Sequence, residues 1–406
     1  MQLQFNLDTF INQKVTNREV SLLQSDFKKY NTQMEERINN KSVLVIGGAG
    51  TIGSSYIKAI LRFKIKKLVV VDINENGLTE LVRDLRSSEG YHIPEDFITY
   101  PVNFGDRVFE KIFGHHGPFE IVANFAAHKH VRSEKDIFSI EAMIENNVLR
   151  ARKLLELLVK FPPEHFFCVS TDKAANPVNI MGASKKLMEE LIMAYSSRIP
   201  IKTARFANVA FSNGSLPLGF LERLNRRQPW SCPLGIRRFF VSPQESGELC
   251  LMASIMGETG DIFFPKLDEE KDMIPFDQIV RDLLESLGLE VDVCQSEEEA
   301  KEKALLLDEN SKSYPVYFFG SDTSGEKSFE EFYTDKEVLD LNSFINLGVI
   351  KNSKKRDIKE IDEIFNRLHK LFDEEKVSKS ELVDVLKEYL PNFEHIETGK
   401  GLDQKM

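Results

Sequence analysis

Cysteine is scarce in this chain. Four stand in 406 residues, at Cys168, Cys232, Cys250 and Cys294, with no CxxC pair and no metal-ligand spacing. That argues against a disulfide scaffold or a cysteine metal site and fits a reducing, cytoplasmic compartment. Positive charge is also in deficit: 53 Lys and Arg face 64 Asp and Glu, a formal net charge of -11. A broad nucleic-acid-binding face is therefore not expected, because affinity for phosphate backbones rests on clustered cations. A local basic pocket for one small anion stays open. No apolar run approaches the roughly 20 residues that span a bilayer. The opening MQLQFNLDTFINQK lacks the basic region and apolar core of a secretory signal. No membrane segment is expected.

What is present is a rhythm. KSVLVIGG (41–48), KKLVVVD (66–72), FITYPVN (97–103), FEIVANFAA (119–127), HFFCVS (165–170) and IKTARFANV (201–209) read as strands, with helical segments between them. Strands alternating with helices predict parallel βαβ units, an α/β doubly wound parallel sheet over residues 41–209. After Val209 the rhythm breaks into loops, short strands and helices. Residues 210–345 are read as a smaller mixed α/β domain with a charged insertion near 294–313. Residues 1–40 are read as a helical arm whose apolar face runs through Val20, Leu22, Leu23, Phe27 and Met34, and 346–406 as a helical extension. Ser378 with Glu381 fits a capping box. The added terminal helices suggest a homo-oligomer.

The first strand enters Gly47-Gly48-Ala49-Gly50-Thr51-Ile52-Gly53. A pyrophosphate seated against backbone at a helix N-terminus needs glycines, because only they let the main chain come that close. Alone the cluster is weak. Here it follows a strand, opens a helix and precedes Asp72 at the end of the next strand, the arrangement of a dinucleotide site. An acid at Asp72 would bind a ribose diol and repel a 2′-phosphate, so NAD is expected over NADP. Gly47, Gly50, Thr51, Ile52, Gly53 and Asp72 form the expected cofactor site. Asn103 is placed near adenine, and the small Ala126 and Ala127 beneath the cofactor.

The stretch VSTDKAANPVNIMGASK (169–185) sets Thr171, Asp172 and Lys173 in a row at the end of an apolar run, with Lys185 four residues after Met181. An adjacent acid and base suit proton transfer. The same trio also fits a helix N-cap beside a solvated lysine. His128 and His130 lack a third ligand nearby, so no metal is expected.

Several blocks together resemble the extended short-chain dehydrogenases/reductases: VLVIGGAGTIGSS, NFAAHKHV (124–131), ENNVLRARKLLE (145–156), STDKAANPVNIMGASK (170–185), ARFANVAFSNGS (204–215), RRFFVSPQES (237–246), GDIFFPKL (260–267) and GEKSFEEF (325–332). More narrowly, they are similar to the nucleotide-sugar 4,6-dehydratases of polysaccharide biosynthesis, the UDP-N-acetylglucosamine branch. The likeness covers about residues 41 to 335. It implies a Rossmann-like fold, bound NAD and a nucleotide-sugar substrate, with UDP-N-acetylhexosamine expected. The implied reaction moves hydride from C4 to NAD, eliminates water across C5 and C6, and returns hydride to C6.

By the same resemblance, Asp172 is the acid at the 6-hydroxyl, Lys173 the base at C5, and Thr171 a partner of the C4 oxygen. Lys185 holds the nicotinamide ribose. Met181 stands where most of the superfamily has a tyrosine base, and a thioether has no proton to exchange. Lys129, His130 and Asn208 are expected near the substrate, with Arg237 and Arg238 as a phosphate clamp and Glu245 nearby. The run Thr323-Ser324-Gly325-Glu326-Lys327 lacks an arginine usual in that branch, and Lys327 is a candidate to compensate. An epimerase or C4 reductase on the same scaffold, and a catalytically silent NAD-binding scaffold, are the competing readings. Asp172-Lys173 argues against simple epimerisation, which needs no acid at the 6-hydroxyl.

Overall fold

The computed structural model describes residues 5–130, 134–320, 330–353, 355–374 and 377–396. Its strands are β1 (Ser42–Ile46), β2 (Lys67–Asp72), β3 (Asp96–Pro101), β4 (Ile121–Asn124), β5 (His165–Val169), β6 (Ile201–Ala204), β7 (Asn208–Val209), β8 (Trp230–Leu234), β9 (Arg237–Val241), β10 (Ile262–Pro265), β11 (Met273–Pro275), β12 (Glu290–Cys294), β13 (Ser313–Gly320), β14 (Val338–Asp340) and β15 (Leu347–Lys351). β1, β4 and β6 are buried along their whole length. Their apolar runs do not alternate because helices cover both faces of the sheet, as in parallel α/β folds.

The main sheet has nine strands in the order β14-β15-β10-β6-β5-β4-β1-β2-β3. β1 to β6 and β10 pair in parallel, and β14 and β15 close the edge antiparallel. Strand order reverses between β1 and β4, which opens a crevice beyond their C-terminal ends. Ligands of open α/β sheets bind at such a switch point. Two small sheets, β11-β9-β7 and β12-β13-β8, complete the strands, and Asn208 and Val209 of β7 line the cavity of the candidate active site.

The division of the chain at Val209 needs correction. β10 returns to the main sheet beside β6, and β15 joins it in turn. Residues 262–265 and 347–351 thus belong to the first unit, because β6 would otherwise expose an unpaired edge. The charged stretch near 294–313 is no loose insertion: β12, the helix Glu297–Ala304 and β13 build the third sheet with β8.

The terminal helices fold back on their own chain. Leu7–Phe10 and Ile11–Val15 place Phe10, Ile11 and Val15 in an apolar cluster with Phe211, Trp230 and Leu283. The helix Gln24–Ile38 adds Phe27, Met34 and Ile38 to the main core beside Leu23, whereas Val20 is exposed and outside the expected stripe. The helices Ile358–Phe372 and Lys379–Tyr389 bury Ile361, Ile364, Leu382 and Leu386 in that core, and Ser378 with Glu381 forms the expected capping box. Their apolar faces are thus used within the chain, so these helices no longer argue for a homo-oligomer.

Arg18 fastens the arm, with Nε 2.8 Å from Glu245 Oε1 and Nη2 2.9 Å from Glu245 Oε2. Fully buried Asp26 accepts the backbone N–H groups of Ile345 and Asn346 at 2.7 and 2.8 Å. Asp26→Ala leaves both donors without their acceptor. It is expected to cost about 2 kcal/mol, read as a lower urea midpoint.

Candidate active site

The glycine turn runs from β1 into the helix Thr51–Ile60. Gly47 has φ +77°, and a Cβ there would come within 2.5 Å of the Ala126 nitrogen. A Cβ on Gly53 would sit 2.2 Å from the Gly47 carbonyl oxygen. Both glycines are required by the backbone itself. Gly50 meets nothing closer than 3.5 Å. The Asp72 carboxylate accepts the Ala49 N–H at 3.0 Å and the Asn74 N–H at 2.9 Å, one on each oxygen. Each oxygen keeps a lone pair for a further donor. Gly47, Gly50, Asp72, Asn103, Ala126 and Ala127 line one cleft of about 290 Å³, together with His128 and Arg150.

A second cavity of about 220 Å³ adjoins it, with Phe125 and Ala127 lining both. It gathers Ile52, Lys129, His130, Thr171, Asp172, Lys173, Met181, Lys185 and Asn208. β5 delivers the acid–base stretch: the chain leaves Val169, stays extended through Thr171 and tightens into the 3₁₀ turn Asp172–Ala174. Asp172 Oδ1 accepts the Thr171 hydroxyl at 2.7 Å, the Lys173 N–H at 2.9 Å and the Lys173 ammonium at 3.1 Å. Lys185 lies one helical turn after Met181 in the helix Ile180–Ala194, and its Nζ donates to the Val169 carbonyl at 2.7 Å. Burial holds the Lys185 ammonium below the ordinary lysine range, despite the nearby Cys168 and Glu189.

Lys173 departs from expectation. Burial alone would lower its pKa, but Asp172 and then Glu330 outweigh it and raise it. Lys173 is therefore held as an ammonium, the reverse of the state that a base at this position requires.

The remaining expected residues divide. Asn208 lines the cavity, and its Nδ2 is buried with no partner among the described residues. Lys129 stands at the rim; burial of its ammonium end lowers its pKa, and no acceptor pairs with it among the described residues. His130 also lines the rim. Thr51 accepts the Asn213 N–H at 2.9 Å and so anchors the wall opposite the glycine turn. Arg237 and Arg238 do not act as one clamp, since neighbours on a strand face opposite ways. Arg237 is exposed and donates to the Glu269 carbonyl, while Arg238 is buried and its charge reaches Lys173.

Glu245 lies away from the cavity. Its oxygens are taken by Arg18, by the Leu22 N–H and, through the cap of the helix Pro243–Met256, by the Ser242 N–H. Lys327 lies outside the described residues. Metal-ligating clusters are absent among the described residues.

Three features escaped the sequence reading. Arg150 lines the cofactor cleft beside Asn103. Glu330 Oε1 stands 3.8 Å from Lys173 Nζ at 5 % exposure. Behind the cavity, fully buried Arg205 grips Glu189 through Nε at 2.9 Å and Nη2 at 2.8 Å, and Glu337 at 3.0 and 2.9 Å. Ser170 donates to the same Glu189 at 2.6 Å. Charged residues inside the apolar runs IKTARFANV and KKLMEELIMAY were the available signal, since buried charges are found in pairs.

With this geometry in hand, comparison with known proteins is informative. The model of the family described as "Polysaccharide biosynthesis protein" matches residues 43–351. The chain belongs to this family. Over 312 residues it is 27 % identical to the probable polysaccharide biosynthesis protein EpsC of Bacillus subtilis, covering 76 % of this chain and 47 % of EpsC. It thus spans about half the length of that relative. An uncharacterized membrane protein of Methanocaldococcus jannaschii is 29 % identical over 323 residues, 75 % of this chain and 93 % of that one. Pen from Bacillus thuringiensis superimposes with a TM-score of 0.62 at 20 % identity, covering 82 % of this chain and 98 % of Pen. That likeness confirms the fold, an α/β doubly wound and mostly parallel sheet. No described helix is long and apolar enough to cross a membrane.

Burial would raise the Glu189 pKa, but Arg205, Lys186 and the Ser170 hydroxyl pull it down to about 2 from an ordinary 4.5. A depressed carboxylate contributes stability that is present above its unfolded value and lost as pH falls through the folded one. Glu189→Gln is expected to weaken the protein at neutral pH and to flatten the acid decline between about pH 4.5 and 2. Urea midpoints measured across that range read both effects.

Proposed function

We propose that the protein is an NAD-dependent nucleotide-sugar 4,6-dehydratase acting on UDP-N-acetylglucosamine or a close relative. One observation carries the reading: Thr171, Asp172, Lys173 and Lys185 converge on a single cavity that adjoins the glycine-turn cleft. Membership of the polysaccharide biosynthesis family supports it.

The cleft fits NAD. Gly47 and Gly53 leave bare backbone where a pyrophosphate would lie, Gly50 is a glycine its own chain does not demand, and Asp72 keeps acceptor capacity for a ribose diol. When bound, NAD supplies the reversible hydride acceptor such a reaction needs. Lys185, tied to the end of β5, sets a positive charge beside Thr171 and lowers the cost of ionising the C4 hydroxyl. Met181 supplies only an apolar wall, so Thr171 and Lys185 are the groups that relay the C4 hydroxyl proton, through water.

Elimination then depends on Asp172 and Lys173. One proton must first cross the 3.1 Å from Lys173 Nζ to Asp172 Oδ1, breaking an N–H bond and forming an O–H bond. The neutral amine takes the C5 proton, which the neighbouring ketone has acidified. The carboxylic acid gives its proton to the departing 6-oxygen, and water leaves. Both side chains return to their resting charges. Lys129 and Asn208 Nδ2, the latter without a partner among the described residues, offer donors to a sugar or diphosphate.

Incubation with NAD and a panel of nucleotide sugars, read by mass spectrometry, tests the proposal. Loss of one water from UDP-N-acetylglucosamine or a relative is expected. Substrate of unchanged mass throughout the panel overturns the reading, and a stereoisomer of unchanged mass points to an epimerase instead. Lys173→Ala is expected to abolish entry of solvent deuterium at C5 while NAD still binds, the latter measured by fluorescence quenching. Undiminished deuterium entry would remove Lys173 from the mechanism.

A further inference from the structure

The acid–base group is larger than Asp172 and Lys173. Glu330 belongs to the same cluster of charges. Its carboxylate is 5 % exposed and stands 3.8 Å from Lys173 Nζ, which also lies 3.1 Å from Asp172 Oδ1. An anion at that depth is costly unless it meets a cation. The segment bearing it is braced a few residues later, where Arg205 Nη1 donates to the Phe332 carbonyl at 3.1 Å and the guanidinium holds Glu337. Glu331 accepts from Asn176 Nδ2 at 2.7 Å, which ties the segment to the turn just after Lys173.

We propose that Glu330 is a positioning residue of this site: with Asp172 it brackets the Lys173 nitrogen between two carboxylates and governs when that nitrogen carries its proton. The inference deepens the dehydratase reading and, for its catalytic consequence, rests on it. Lys173 must give a proton to Asp172 before it can take one from C5. When it takes that proton, an ammonium re-forms beside an Asp172 that is now a neutral acid. Among the described residues, Glu330 is then the carboxylate left against it. It stabilises the charge that develops on Lys173 during C5 deprotonation, and no atom of Glu330 exchanges a proton in the step. Arg238 opposes it, with a buried guanidinium whose charge disfavours the ammonium. Lys129, His130 and Lys185 are the other titratable groups of the cavity, and Glu189, neutralised by Arg205, lies behind it.

Glu330→Gln in the full chain removes the charge and keeps the shape. Turnover is expected to fall about tenfold with KM within about twofold, as for an interaction made chiefly in the transition state. The limb of the pH–rate profile that belongs to the Asp172–Lys173 pair should move to lower pH, since losing an anion releases the ammonium proton sooner. Glu330→Asp should recover most of the rate and return the limb toward its original position.

A readout that needs no turnover accompanies this. Lysines are reductively methylated with ¹³C, and the Lys173 resonance, assigned by its loss in Lys173→Ala, is titrated in native protein and in Glu330→Gln. Its midpoint is expected to fall in the variant. An unmoved midpoint, or a rate loss with an unchanged pH profile and a matching loss of thermal stability, overturns the role of Glu330. A native enzyme inert on every nucleotide sugar, in which the Lys173 midpoint still falls in the variant, overturns the dehydratase reading and leaves the bracketing of Lys173 standing.

Discussion

A guanidinium with no exposure to solvent holds the site together. Arg205 leaves β6 and is gripped on one side by Glu189, from the helix that carries Lys185, and on the other by Glu337, from the segment that carries Glu330. Removing Arg205 would leave the buried Glu189 carboxylate without its main partner, a loss on the order of 3–5 kcal/mol. The arrangement fixes three elements at once. β5 is drawn in as well, because Ser170 donates to Glu189 and the next three residues are the acid–base stretch. The reactive residues need not pack tightly against one another, since the ion-pair hub behind them sets their positions.

The second constraint is the reversal of strand order between β1 and β4. It places the Gly47 turn and the Phe125–Ala127 backbone on either side of one crevice. Phe125 and Ala127 then form the partition between the glycine-turn cleft and the cavity that holds Thr171, Asp172, Lys173 and Lys185. The terminal segments close the outside. The C-terminal end pairs its Glu394 and Ile396 N–H groups with the Pro177 and Val178 carbonyls, directly beneath the loop that leads into Met181.

Much of this was legible in the residues. The succession of strands through β6, the glycine turn and its partner Asp72 follow from apolar runs and from the narrow demands of a backbone near phosphate, which leave few sequence solutions. The clustering of Thr171, Asp172, Lys173, Met181 and Lys185 was legible because they lie close in sequence, where a strand end and one helical turn suffice to bring them together. Glu245 was misread for the opposite reason. A glutamate three residues after a serine before a helix is a cap first, and it was also claimed by an arginine 227 positions away, which no local pattern reveals.

By itself the sequence determined the fold class, the family and the gathering of residues 171–185 at one cavity, since each rests on local spacing and on side-chain types for which little else substitutes. Tertiary structure alone decided the charge states in the cavity. Lys173 keeps its ammonium in spite of burial because Asp172 and then Glu330, folded against it across 157 positions of chain, outweigh the loss of solvent, and the terminal helices are internal walls because the core had apolar surface left to cover. Electrostatic and packing energies depend on distance in space, and distance in space is what a one-dimensional chain does not record.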